Sequence, residues 1–181
     1  MQSKEYSNKD LSKKLMNKAI FYLSKYASHS KKLKEILSNY INKNNIVISV
    51  SLKNELINDT IKKCQDFGYL NDELYAQNKT KKMYLNGKSK KLTLLNLIML
   101  GIEKEIAFNA INDVYGSDIE SNYRSALNFI KRKKIGLIFS VNENKYNLNF
   151  ERWMAMMSRA GYDYNLSNKI LNIKNIEELN Y

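Results

Sequence analysis

The sequence predicts an all-α fold: three tandem three-helix repeats forming an elongated, curved array. Three observations lead there. Apolar residues recur at three- and four-residue spacing along almost the whole chain, the period of a helix with one buried face. The 181 residues include no proline, so nothing imposes a kink and helix ends fall to glycine and polar caps. Leu33, Leu37 and Ile41 find counterparts sixty residues on in Thr93, Leu97 and Gly101, and again in Trp153, Met157 and Gly161. Three helices of that length cannot bury an apolar face alone, so each unit leans on its neighbours. The boundaries expected are a polar segment with the start of the first helix (1–18), repeats over 19–70, 71–117 and 118–175, and a tail over 176–181.

The elements follow in order. Leu11, Leu15, Ala19, Tyr22, Leu23 and Tyr26 make one face of a first helix. Ser30 is placed to cap a second, with Leu33, Ile36, Leu37, Tyr40 and Ile41 inward. After an Asn-rich loop in which 46–50 is short and extended, Ser51 opens a third helix carrying Leu56, Ile57, Ile61 and Cys64, and Gly68 ends it in a left-handed conformation. Asn71 caps the fourth, whose first turn holds Asp72 and Glu73 where the helix dipole favours carboxylates. The fifth runs from Lys88 to a stop at Gly101, the sixth through Ala107, Ala110 and Ile111 to Gly116, and the seventh from about Glu120 into the basic run at 131–134. Residues 137–146 read as an irregular or weakly extended insertion. The eighth helix carries Phe150, Trp153, Met154 and Met157 to Gly161, and the ninth Leu166, Ile170 and Leu171.

Composition narrows the function. Thirty Lys and Arg against eighteen Asp and Glu give a net charge of +12, which attracts polyanions. The excess is mostly Lys in an Asn- and Ile-rich chain, so part of it reflects compositional bias. One cysteine forms no internal disulfide, the first fourteen residues carry no apolar stretch, and no run reaches the length of a membrane span; a cytoplasmic, membrane-free protein acting as a monomer is expected. There is no Gly-rich phosphate loop, nucleophile elbow or HExxH. A lone His29 and a lone Cys64 supply no metal-ligand set and few acid-base groups. The chain is therefore expected not to be an enzyme and to need no cofactor or metal. His29 reads as structural, Cys64 as an inert buried thiol, and the Trp153 and Met stripe as core.

Candidate contacts with a partner are the basic clusters. Lys31, Lys32 and Lys34 open the second helix, Lys88, Lys90 and Lys91 open the fifth in the equivalent place, Lys131, Arg132, Lys133 and Lys134 end the seventh, and Arg152 lies on the eighth. Taken one at a time, such lysines ordinarily just keep a helix solvated. Recurrence near helix N-termini, where positive charge opposes the dipole, points to a use for them as a group.

The segment from Ile57, Ile61 and Cys64 into Phe67-Gly68-Tyr69-Leu70-Asn71-Asp72-Glu73-Leu74-Tyr75-Ala76 resembles the RecX family's pattern of a helix, a GYL(D/N)D turn, an acidic residue and an aromatic-Ala pair. Gly101 to Ile106 before Ala110 and Ile111, Arg159-Ala160-Gly161-Tyr162 before Ile170 and Leu171, and Ala19 to Tyr26 before Ser28, Ser30, Leu33 and Leu37 are similar to further parts of that pattern, so that the resemblance spans about 19–172. It implies a protein that binds in the groove of the RecA filament on single-stranded DNA and limits ATP hydrolysis, strand exchange and SOS induction. The alternative is a DNA-binding helical regulator, sequence-specific or not. Its lysines suit phosphates of single- or double-stranded DNA better than base edges.

Overall fold

The computed structural model describes residues 7–116, 120–140, 142–175 and 177. The expected tail at 176–181 lies outside the described residues apart from Glu177, as do the first six residues of the N-terminal segment and the join between the second and third expected repeats at 117–118. Among the described residues there are nine α-helices and no strand: α1 (Asn8–Leu23), α2 (Ser30–Lys43), α3 (Val50–Asp66), α4 (Asp72–Leu85), α5 (Lys90–Leu100), α6 (Lys104–Tyr115), α7 (Ser121–Lys133), α8 (Glu143–Arg159) and α9 (Tyr164–Leu171). None of them is long and apolar enough to cross a membrane.

The described residues form two compact units, one within 7–75 with 100–102, the other within 76–99 with 103–177. In the first, α3 packs on both α1 and α2. The core holds most of what helical spacing predicts: Leu11, Leu15 and Ala19 from α1, Leu33, Leu37 and Ile41 from α2, Leu56, Ile57, Ile61 and Cys64 from α3, with Leu70 closing the corner; Ile46 of the loop joins it, while Tyr22, Leu23, Ile36 and Tyr40 are only partly buried. Each fully buried Leu or Ile contributes about 1.5–3 kcal/mol relative to exposure. Burial raises the Cys64 thiol pKa, as expected of an unreactive core cysteine. Tyr26 departs from its expected place. It follows the end of α1 and is 57% exposed.

In the second unit, α9 packs on α7 and α8 around Ala126, Leu127, Ile130, Met157, Ile170 and Leu171, with Trp153 and Phe150 half-buried against them. Around α4, α5 and α6 the buried residues include Ala76, Thr80, Thr93, Leu97, Ala107 and Ile111. Two buried hydroxyl pairs tie segments together here, one between α5 and α6 and one between α7 and the turn after α8. Thr93 meets the Tyr115 hydroxyl at 2.8 Å, and that hydroxyl donates to the Lys88 carbonyl at 2.6 Å; Ser125 meets the Tyr162 hydroxyl at 2.9 Å. Burial pushes the Tyr115 pKa up to about 12.

Several helix ends differ from expectation. Ser49, not Ser51, caps α3, its hydroxyl accepting from the Leu52 N–H at 3.2 Å. Ser30 is the first residue of α2 rather than its cap; His29 holds the cap position. The fifth helix begins at Lys90 with Ser89 before it, whose hydroxyl accepts from the Leu92 N–H at 3.1 Å. The expected insertion at 137–146 is mostly helix. Leu137–Phe139 is a 3₁₀ turn, and Asn142 caps α8 by accepting from the Lys145 N–H at 2.9 Å. Tyr146 thus begins a buried stripe continued by Phe150, Trp153 and Met157, which the surrounding Asn residues obscure in the sequence.

Candidate basic partner-binding surface

On α2, Lys31, Lys32 and Lys34 are all exposed within the first two turns. Lys32 pairs with Glu35 at 3.0 Å, and that hydrogen bond raises the ammonium pKa and lowers the carboxyl pKa. Lys31 lays its aliphatic stem across Gly101, where a Cβ would run into its Cδ. With Lys34, Glu35, Ser38, Asn39, Asn54 and Ile57 it lines an open cavity of about 450 Å³.

The α2 N-terminus carries no side-chain cap of its own. Instead the Asp72 carboxylate, from the first turn of α4, accepts from the Ser30 N–H at 2.9 Å, and Gln65 of α3 donates to the Ser30 hydroxyl at 3.1 Å. A carboxylate at that end offsets the dipole that Lys31 and Lys32 oppose. Sequence pattern places Asp72 only at its own helix start and gives no sign of this second task.

In the second unit the same device serves α5. Asn122, in the first turn of α7, accepts from the Lys90 N–H at 2.9 Å. Lys90 is otherwise engaged: its Nζ donates to the Gly116 carbonyl at 2.8 Å, placing an ammonium at the C-terminus of α6 where the dipole favours it. Lys88 is half-buried before the helix and Lys91 is exposed. Lys131, Arg132 and Lys133 are exposed in the last turn of α7, and Lys134 ends it in a left-handed conformation at φ 51°. Asn122 marks one end of α7, and Lys131 lies about 13 Å of helical rise further on. The α5 cluster and the α7 run are thus separate stations of this unit. Arg152 is exposed on α8.

Of the expected contacts, then, Lys31, Lys34, Lys91, Lys131, Arg132, Lys133, Lys134 and Arg152 present charge outward, Lys32 does so with a carboxylate beside it, and Lys90 braces α6. The chain is similar to a regulatory protein. It is 24% identical to the regulatory protein RecX of Myxococcus xanthus (strain DK1622) over 160 residues, 87% of this chain and 83% of that one. No family model matches, and no solved structure does. The similarity to RecX covers both units, and the GYLND segment within it forms the α3–α4 corner: Gly68 is left-handed at φ 72°, Leu70 is buried, and Asn71 accepts from the Leu74 N–H at 2.8 Å.

Helical spacing and motifs alone do not single out an aromatic cluster at the end of α1. Phe21 is 55% exposed, with Lys25 Nζ 4.1 Å from its ring centre. A signal for it does exist, because residues 11–34 contain seven lysines and no Asp or Glu.

Proposed function

We propose that the protein is a non-catalytic modulator of the RecA recombination filament, binding in the filament groove through its exposed lysines and limiting ATP hydrolysis, strand exchange and SOS induction. The observation that carries this is the similarity to a regulatory RecX protein along nearly the full length of both chains. An all-helical fold with exposed basic helix ends supports it, since a groove lined by acidic protein and DNA attracts such a surface.

The architecture belongs to the same proposal: three-helix units 19–70, 71–117 and 118–175, the second and third each opening with a helix whose first turn caps the middle helix of the unit before. Asp72 of α4 capping α2 and Asn122 of α7 capping α5 support it, as do two glycines at middle-helix ends, Gly101 against Lys31 and Gly161 against Ser89 and Leu92. No chemistry of its own is assigned to the protein, which acts as one chain without cofactor.

The test is a titration of the purified protein into RecA hydrolysing ATP on single-stranded DNA. The rate falls as the protein approaches RecA in concentration. An unchanged rate across the titration sinks the proposal. Charge reversal is best made at Lys31, Lys34 and Lys91 together, sparing Lys90 because its loss would also release the end of α6. This triple variant keeps its helicity and inhibits less.

A further inference from the structure

The end of α1 has a surface that the fold does not need. The helix turns Leu11, Leu15 and Ala19 into the core, while Phe21 and Tyr26 stay 55% and 57% exposed. They are not scattered singly. Tyr26 packs on Tyr22 with ring centres 5.2 Å apart, Lys25 sits over Phe21, and Lys18 lies 5.9 Å from the Phe21 ring centre and 6.0 Å from that of Tyr40. The turn after the helix is held, since the N–H groups of Lys25 and Tyr26 both donate to the Tyr22 carbonyl. Two exposed rings, Phe21 beside the Lys18 and Lys25 ammonium groups and Tyr26 on Tyr22, therefore stand five residues apart on a backbone that does not have to be ordered on binding.

We propose that this end of α1 is a stacking platform for single-stranded DNA, with bases against Phe21 and Tyr26 and phosphates against Lys18 and Lys25. Charge selects a polyanion, because residues 11–34 hold seven lysines and no carboxylate of their own, and the carboxylates the fold adds, Asp72 at Ser30 and Glu35 at Lys32, are engaged at the α2 end. The rings select among polyanions. An acidic peptide would use the lysines and leave Phe21 and Tyr26 wet, whereas unpaired bases cover both. Duplex DNA keeps its base faces stacked internally and offers only phosphates. The Lys25 contact with Phe21 is no obstacle: an exposed cation–ring contact is weaker than a base stacked on an aromatic ring, so a base displaces the ammonium, which then meets the adjoining phosphate. That the strand is DNA rests on the RecA reading above; the stacking mode does not.

The experiment follows the anisotropy of a labelled oligo(dT) titrated with the full chain, without RecA. Wild type binds oligo(dT) more tightly than a duplex of equal length. Phe21→Ala with Tyr26→Ala weakens binding about ten-fold or more at unchanged helicity. Phe21→Leu with Tyr26→Leu, which keeps apolar bulk, does the same. Lys18→Gln with Lys25→Gln flattens the salt dependence, by about 0.7 in log–log slope for each phosphate left without its ammonium. The platform is refuted if either aromatic pair variant binds as wild type does. It is refuted equally if duplex binds more tightly than oligo(dT), or if polyglutamate displaces the strand as well as unlabelled oligo(dT); tighter binding of oligo(rU) overturns the assignment of the strand as DNA and leaves the stacking mode standing. Since RecA is absent, abolished DNA binding with filament inhibition intact removes the platform alone. Abolished inhibition with oligo(dT) binding intact removes the RecA reading alone.

Discussion

His29 occupies the cap position of α2 with an extended backbone, yet its ring makes no cap bond and its Nδ1 has no hydrogen-bond partner among the described residues. It is 4% exposed, its ring centre 5.0 Å from that of Tyr75 in a tilted contact. Burial lowers its pKa below 6.5; Asp72 and Glu35 pull the other way, and Lys31 and Lys32 add to the lowering. The unfolded chain therefore binds the proton more readily. The histidine's contribution to stability is complete above pH 6.5 and is lost as pH falls through the lowered folded value. Denaturant midpoints at pH 7.5 and pH 5 fall less in His29→Asn than in wild type; equal falls would dismiss the histidine as the cause.

Glycines differ in what they contribute. At Gly68 a Cβ meets nothing within 4 Å, so Gly68→Ala costs only the left-handed conformation, about 1 kcal/mol. At Gly161 a Cβ would collide with the Ser89 hydroxyl and come within 2.9 Å of Leu92 Cβ, so Gly161→Ala costs that and the displacement of α5 besides. Thermal melts of the two variants should rank in that order. The sequence marks both as helix stops with no way to distinguish them, because the distinction lies in what a distant segment brings near.

At the scale of helices, periodicity sufficed wherever apolar residues were dense. The α1, α2 and α3 faces were legible because Leu and Ile fill nearly every inward position. The start of α8 was not, since Tyr146 stands alone among Asn, Lys and Leu148, which is 86% exposed. Caps contributed by a distant helix were also hidden, because a side chain forty-two residues away leaves no local pattern. Asp72→Ala should cost about 1 kcal/mol by stripping the α2 N-terminus of its acceptor, and Asp72→Asn, which keeps an acceptor oxygen, should cost less. Equal losses in guanidinium unfolding would show that Asp72 acts by charge rather than as an acceptor.

For the molecule as a whole, composition gave a helical chain with a large positive excess, and the GYLND segment gave a resemblance, but neither showed which lysines face outward. Lys90 looks like Lys91 in the sequence. Only the fold reveals that one braces the end of α6 while the other faces outward.

The chain holds a single tryptophan, Trp153, on α8, with the Tyr146 ring 5.8 Å away. It belongs wholly to the second unit. Indole emission therefore reports melting of that unit and is blind to the first, whereas far-ultraviolet ellipticity sums both. Transitions that coincide by the two signals mark one cooperative molecule, and a split between them identifies which half yields first.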